Sequence, residues 1–250
     1  MNPGILEKIK IVLVGTTHPG NIGASARAMK TMGISTLALV RPRSFPSADA
    51  TARAAGADDI LTRATLHEGL HAAVRDCVYV TGTTARNRTI PWPVIDPQQA
   101  ASEIIRYAAQ GKTVAVVFGR ESTGLTNQEL ENCNTVVAIP TNPDYSSLNI
   151  AAAVQVITYE VRRAALHFLP AGDDPEPIIP LVSNEEMQKF YEHLEQCLVD
   201  LKFHDPDKPR QLMRRLRRLF NRSQLDENEY NILRGILAAA QDAAGQSGKS

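Results

Sequence analysis

Three short constellations of small and polar residues carry the chemistry this chain could perform: Asn21-x-Gly23-x-x-x-Arg27, Gly119-x-Glu121-x-x-Gly124-Leu125 and Ser147-Leu148-Asn149. Together they offer a guanidinium, a carboxylate, a hydroxyl and two carboxamides, groups that orient a polar substrate and stabilise charge on it. Arg27 lies one helical turn after Gly23, and helical side chains lean toward the N-terminus. The guanidinium is therefore expected to pass over a position with no side chain and approach the free amides of the helix start, where amides and guanidinium together would hold a phosphate. Arginine stays protonated, so Arg27 reads as a fixed charge and not as a base.

The elements behind these residues follow from local pattern. Each constellation comes after a β-branched run: residues 9–14 run into Gly15 and Gly20, residues 113–117 into Phe118-Gly119, and residues 135–139 into Pro140. A buried strand thus delivers each loop to one edge of a sheet, the edge at which α/β sheets bind ligands. Strands near 9–14, 36–40, 78–82, 113–118 and 135–139 alternate with helices, the pattern of a mostly parallel sheet covered on both faces. Asn21 is expected to cap a helix ending at Met32 with Gly33 as its C′ residue; Asp96-Pro97 opens a helix over 97–109, and Thr126-x-x-Glu129 is a capping box. Ser147 is expected to start a long helix burying Leu148, Ala151, Val154, Ile157, Val161 and Ala165 and ending near Leu169. Prolines at 170, 175, 177 and 180 mark a linker over 170–182, between a domain at 1–169 and helices near 184–201, 209–222 and 227–244; residues 245–250 read as a disordered tail.

The motifs resemble, in order and at strand ends, the three motifs of the SPOUT superfamily of RNA methyltransferases, most closely its tRNA 2′-O-ribose methyltransferase branch. Gly82-Thr83-Thr84-Ala85-Arg86-Asn87-Arg88 before Pro91-Trp92-Pro93, the string Asn142-Pro143-Asp144-Tyr145-Ser146-Ser147-Leu148-Asn149 and a tail ending Asn231-Ile232-Leu233-Arg234-Gly235-Ile236-Leu237 are similar to the bacterial TrmJ type, and the similarity spans Ile9 to about Ala240. This resemblance implies an α/β fold with a mostly parallel sheet and a C-terminal trefoil knot, followed by a small all-α domain. Two chains would pair as a homodimer to complete each active site. It further implies transfer of a methyl group from S-adenosyl-L-methionine to the ribose 2′-hydroxyl of nucleotide 32, cytidine or uridine, in the tRNA anticodon loop.

Carried onto this chain, the resemblance assigns Arg27, Asn21, Glu121, Ser147 and Asn149 to catalysis. Arg27 would clamp the phosphate beside the target ribose and stabilise the developing 2′-oxyanion. Glu121 would hold an arginine or a loop amide, or serve only as a buried structural acceptor. Ser147 or Asn149 would position the hydroxyl, with Ser147 alternatively the N-cap of its helix. Thr83, Thr84, Ala85, Gly119, Gly124, Ile139, Ser146, Ser147 and Leu148 would line the cofactor site, with Gly119 letting backbone approach the adenine closely. Arg86 and Arg88, and Arg214, Arg215, Arg217 and Arg218 on the outward face of a helix whose inner face carries Leu212, Leu216, Leu219 and Phe220, would meet RNA phosphate. Trp92 reads as a packing plug more than as a stacking platform. A SPOUT-like RNA-binding protein without catalysis is the alternative.

Other chemistries fit less well. No GxxxxGK[ST] loop is present, and Gly15-x-x-x-x-Gly20-x-x-Gly23 lacks the spacing of a dinucleotide fingerprint, with Val40-Arg41 where a ribose-binding acid would stand. His67-Glu68-Gly69-Leu70-His71 matches the zinc-protease signature, but Gly69 weakens a helix there, no third ligand follows at the required spacing, and no metal is expected. Cys77, Cys133 and Cys197 fit no CxxC spacing and read as reduced thiols. No run is long enough for a membrane span or a signal peptide, so a soluble cytoplasmic protein is expected. The net charge of zero conceals a segregation: acids dominate 171–209, and six arginines follow between Arg210 and Arg222. Local charge is what a polyanion meets.

Overall fold

In the computed structural model, which describes residues 4–84, 93–168 and 180–247, the apolar runs become a parallel sheet and the chain divides into two units, Met1–Pro170 and Ala171–Ser250. The first unit runs α1 (Gly4–Glu7), β1 (Ile9–Val14), α2 (Pro19–Met32), β2 (Thr36–Val40), α3 (Ala48–Ala54), α4 (Asp58–Thr62), β3 (Thr65–His67), α5 (Leu70–Val74), β4 (Tyr79–Thr83), β5 (Val94–Ile95), α6 (Pro97–Ala109), β6 (Val114–Phe118), α7 (Asn127–Leu130), β7 (Thr135–Val137) and α8 (Ile150–His167). The sheet has seven strands in the order β3-β2-β1-β6-β4-β7-β5, every pairing parallel. β6 is buried at all five positions, as a strand covered on both faces must be, and that is why it reads as one unbroken apolar run.

Register brings the loops together. Leu13 lies beside Phe118 and Val14 beside Val40, while Gly82 lies between Val117 and Val136. The exits of β1, β6, β4 and β7 therefore share one sheet edge. Both outer strands, β3 and β5, escape the sequence pattern because they are short and open to solvent, with Leu66 56% and Val94 60% exposed.

Local signals placed several helices closely. Asp96 and Gln99 close the expected capping box on α6, and Thr126 with Glu129 does so on α7. Two starts differ. α2 begins at Pro19 after an uncapped His18, so Asn21 lies inside the helix with its side chain free for other partners. α8 begins at Ile150 with Asn149, not Ser147, as its N-cap, the Asn149 carboxamide oxygen accepting from Ala151 N at 2.9 Å. Leu148 consequently precedes the helix and is 40% exposed, while Ile150, Val154, Ile157, Val161 and Ala165 make the buried face. His67 ends a strand and His71 sits in α5 beyond an extended Gly69, so the two histidines do not share a helix face. The three cysteines are buried free thiols, and burial pushes the Cys77 thiol up to about 12.

The second unit comprises α9 (Asn184–Asp200), capped by Ser183 and Glu186, α10 (Leu212–Ser223) and α11 (Glu227–Ser247). Phe190, Tyr191 and Leu194 form its core with Val182, Met187 and Leu225, and the Phe220 ring meets Phe190 edge-on at 4.9 Å. One expectation for α10 fails here. Arg217 does not face outward: its guanidinium lies 4.4 Å over the Tyr191 ring and donates to Gln188 Oε1 at 2.9 Å. Leu219, expected inside, is 43% exposed instead. α11 extends to Ser247, beyond the expected end at 244 and into the stretch read as a disordered tail. Ala85, Arg86, Arg88 and Trp92, together with most of the 170–182 linker, lie outside the described residues. Among the described residues no helix is long and apolar enough to cross a membrane, and no group of acids, histidines and cysteines is arranged to hold a metal ion.

Candidate active site

A single polar chain ties the three constellations together. Asn149 Nδ2 donates to Asn21 Oδ1 at 3.0 Å, and Asn21 Nδ2 donates to Glu121 Oε1 at 2.9 Å. The Glu121 carboxylate also accepts from Thr17 N at 3.1 Å and from His18 N at 3.3 Å. Residues a hundred positions apart in the chain are thus held at one sheet edge by hydrogen bonds to one ionised group, and such bonds are the stronger kind. Burial alone would raise the Glu121 pKa, but the donations from Asn21 and from the backbone of Thr17 and His18 outweigh it and hold the carboxyl below its ordinary value of 4.5.

This arrangement reassigns three roles. The amides just before α2 were expected to take a phosphate, yet the anion they hold is Glu121's own carboxylate. Gly23 does not clear a path for Arg27: a Cβ there would overlap the Ala50 carbonyl, so the missing side chain lets α3 pack against α2. The carboxamides of Asn21 and Asn149 are committed to this polar chain and to the α8 cap, which makes them positioning residues.

The loop after β6 is locked from its other side. Arg120 forms a two-pronged ion pair with Glu129, Nη1 to Oε2 at 3.0 Å and Nη2 to Oε1 at 2.9 Å. Arg120 and Gly124 exchange backbone hydrogen bonds at 3.3 and 2.9 Å, folding residues 120–124 back on themselves with Gly124 at φ +68°. At Gly119 a Cβ would run into the backbone of Gly124 and Leu125. The glycine is required by the loop's own return, so a Gly119→Val variant breaks the loop before it tests any ligand contact. Arg120 and Glu129 were missed as site residues. Glu129 had a signal, the capping box, but that accounts for only half of its bonding.

Between these loops lies a cavity of about 200 Å³. Thr83, Thr84, Gly119, Gly124, Ile139, Ser146, Ser147 and Leu148 all line it, as does Glu121, and Phe118, Val137 and Ile150 add apolar wall that the motif reading had not named. Arg120 contributes the guanidinium of the wall, and Glu129 already neutralises it. Among the described residues ionised Glu121 is then left without a cation beside it. Such a wall disfavours a phosphorylated ligand and suits one with an apolar body, hydrogen-bonding edges and positive charge. Arg27 does not line the cavity of its own chain; it is exposed on α2, and among the described residues no hydrogen bond or ion pair engages its guanidinium.

Glu121→Gln tests the polar chain. Removing the charge while keeping the shape is expected to cost about 2 kcal/mol, or roughly 4 to 8 °C in Tm. Because the folded carboxyl titrates below 4.5, its contribution is complete above that value and is lost as pH falls through the depressed one. The Tm gap between wild type and variant should therefore be constant from neutral pH to about 5 and narrow below it. A gap that does not change with acid would place the stabilisation elsewhere.

Comparisons with known proteins find relatives over nearly the whole chain. Residues 8–159 match the SpoU rRNA Methylase family, and residues 185–249 match the C-terminal domain of tRNA methyltransferase TrmJ. The chain is 50% identical over 250 residues, 96% of each chain, to the tRNA (cytidine/uridine/adenosine-2′-O-)-methyltransferase TrmJ of Pseudomonas aeruginosa (strain UCBPP-PA14). It is 49% identical to the tRNA (cytidine/uridine-2′-O-)-methyltransferase TrmJ of Pectobacterium atrosepticum, over 95% of this chain and 98% of that one. Among solved structures it is similar to TrmJ from Z. mobilis ZM4, with a TM-score of 0.80 and 33% identity over 92% of this chain and 97% of that chain.

Proposed function

The chain belongs to the SpoU rRNA methylase family and to its TrmJ-type 2′-O-methyltransferases, and on that premise we propose that it methylates the ribose 2′-hydroxyl of nucleotide 32, cytidine or uridine, in the tRNA anticodon loop. The methyl donor is S-adenosylmethionine. The observation that carries this reading is the cavity at the sheet edge, walled by the exits of β4, β6 and β7 and bearing an ionised Glu121 beside which, among the described residues, no unpaired cation stands. The family resemblance implies that the loops at this edge form a trefoil knot.

Each residue then has a physical task. Ile139 and Leu148 supply apolar surface for adenine over the buried Phe118 and Val137, and Thr84, Ser146 and Ser147 line the cavity for the polar end of the ligand. When bound, S-adenosylmethionine supplies a methyl group on a sulfonium, and Glu121 complements its positive charge. Asn21, Glu121 and Asn149 hold the loops in register, and the Ser147 hydroxyl, which no hydrogen bond engages among the described residues, orients the ribose. Arg27, exposed and outside its own chain's cavity, completes the site of a second copy, where its fixed charge stabilises the developing 2′-oxyanion and clamps the neighbouring phosphate. Proximity of the two reactants contributes much of the remaining acceleration. A homodimer acting in the cytoplasm is part of this reading.

Calorimetric titration with S-adenosylmethionine separates this proposal from a noncatalytic RNA-binding role. Saturable one-site binding is expected, whereas no heat from a folded chain would favour the noncatalytic reading.

In the second unit the arginines divide their labour. Arg215 is exposed on α10, whereas Arg217 stacks on Tyr191. Arg215→Gln should lower the log–log slope of tRNA affinity against salt by roughly 0.7 to 0.9 at little cost in Tm. Arg217→Gln should do the reverse, lowering Tm and leaving the slope unchanged. Identical behaviour of the two variants would contradict the division.

A further inference from the structure

We infer that Tyr145 is the stacking platform for the base of the target nucleotide. The inference rests on the proposed methyl transfer to RNA and names a residue that reading does not use. Tyr145 is 79% exposed, more than any other large apolar side chain among the described residues. Its surroundings make this exposure specific. Asn142 builds a tight turn beneath it: the side-chain Oδ1 accepts from Asp144 N at 3.0 Å and the backbone oxygen accepts from Tyr145 N at 3.0 Å. Thr141 Oγ1 donates to Ser146 O at 3.4 Å, and three residues further on Asn149 is tied to Asn21. The backbone under the ring is thus braced on both sides, while among the described residues the ring itself has no aromatic or hydrogen-bonded partner.

Position supplies the function. Thr141 before it and Ser146, Ser147 and Leu148 after it line the cavity, so Tyr145 belongs to a loop that walls the site. A flat apolar face held in water is unfavourable unless something covers it, and an unpaired base in an RNA loop offers a matching π-face. Stacking is indifferent to the base's hydrogen-bonding edge, which suits a site serving both cytidine and uridine. Because the platform uses the ring and not the hydroxyl, phenylalanine should replace tyrosine.

The test is steady-state methylation by the full chain with Tyr145→Ala and Tyr145→Phe. Tyr145→Ala should raise KM for tRNA on the order of 10-fold to 100-fold, with S-adenosylmethionine affinity by calorimetry and the sedimenting mass unchanged. Tyr145→Phe should stay within about threefold of wild type. An unchanged KM in Tyr145→Ala, a parallel loss of S-adenosylmethionine affinity, a change in sedimenting mass, or a phenylalanine variant as poor as the alanine one would each overturn the assignment. Absence of methylation by the wild-type chain would instead count against the proposed function itself.

Discussion

Arg27→Ala is expected to lower kcat for ribose methylation by a factor on the order of 100 to 1,000 while S-adenosylmethionine binds as before, the scale on which losing one preorganised charge at a developing oxyanion acts. The two arginines in the motifs make the expectation sharp. Arg120 is locked in a two-pronged pair with Glu129, so its removal damages the loop itself. Arg27 is exposed, and among the described residues its guanidinium carries no structural bond, so its removal should leave the fold and the cavity intact. Arg27→Lys should recover little, because a compact ammonium does not reproduce a planar fork of donors. Turnover within a few-fold of wild type in either variant would remove Arg27 from the mechanism.

Ending the chain at Pro170 is expected to separate binding from turnover. Every residue that lines the cavity belongs to the unit Met1–Pro170, whose sheet core is complete within it. The truncated chain should fold and bind S-adenosylmethionine with the affinity of the full chain. Methylation of tRNA should fall by roughly 100-fold or more, since even two charge-assisted phosphate contacts at about 1.5 kcal/mol each amount to that factor. A truncated chain as active as the full one would refute any part for the helical unit in handling tRNA.

How far the sequence reveals this site depends on the range of the interaction. Signals within one or two turns are legible: Asp96 with Gln99, Thr126 with Glu129 and Ser183 with Glu186 each close the capping box their spacing suggests. The central strands are legible too, because burial on both faces demands unbroken apolar runs. What fails is any role decided by a distant partner. Asn21 is a good cap by type, yet the free carboxylate of Glu121 and the carboxamide of Asn149 claim its amide. Gly23 suggested a path for Arg27, but α3 fills the space. Arg217 sits in an arginine run that suggests RNA, and only the fold places an aromatic ring beneath it. The convergence of the three constellations was foreseeable from their strand exits; that one carboxylate ties them together was not, because its three donors, Thr17 N, His18 N and Asn21 Nδ2, all lie about a hundred residues away.

The central claim is the reaction, and position-resolved mapping of ribose methylation in tRNA tests it most directly, comparing cells that carry the gene, cells that lack it, and the latter supplied with the Arg27→Ala chain. The account predicts 2′-O-methylation at nucleotide 32 that disappears with the gene and is not restored by the variant. Methylation at nucleotide 32 that persists without the gene, with the lost modification falling at another nucleotide or in ribosomal RNA, would contradict it.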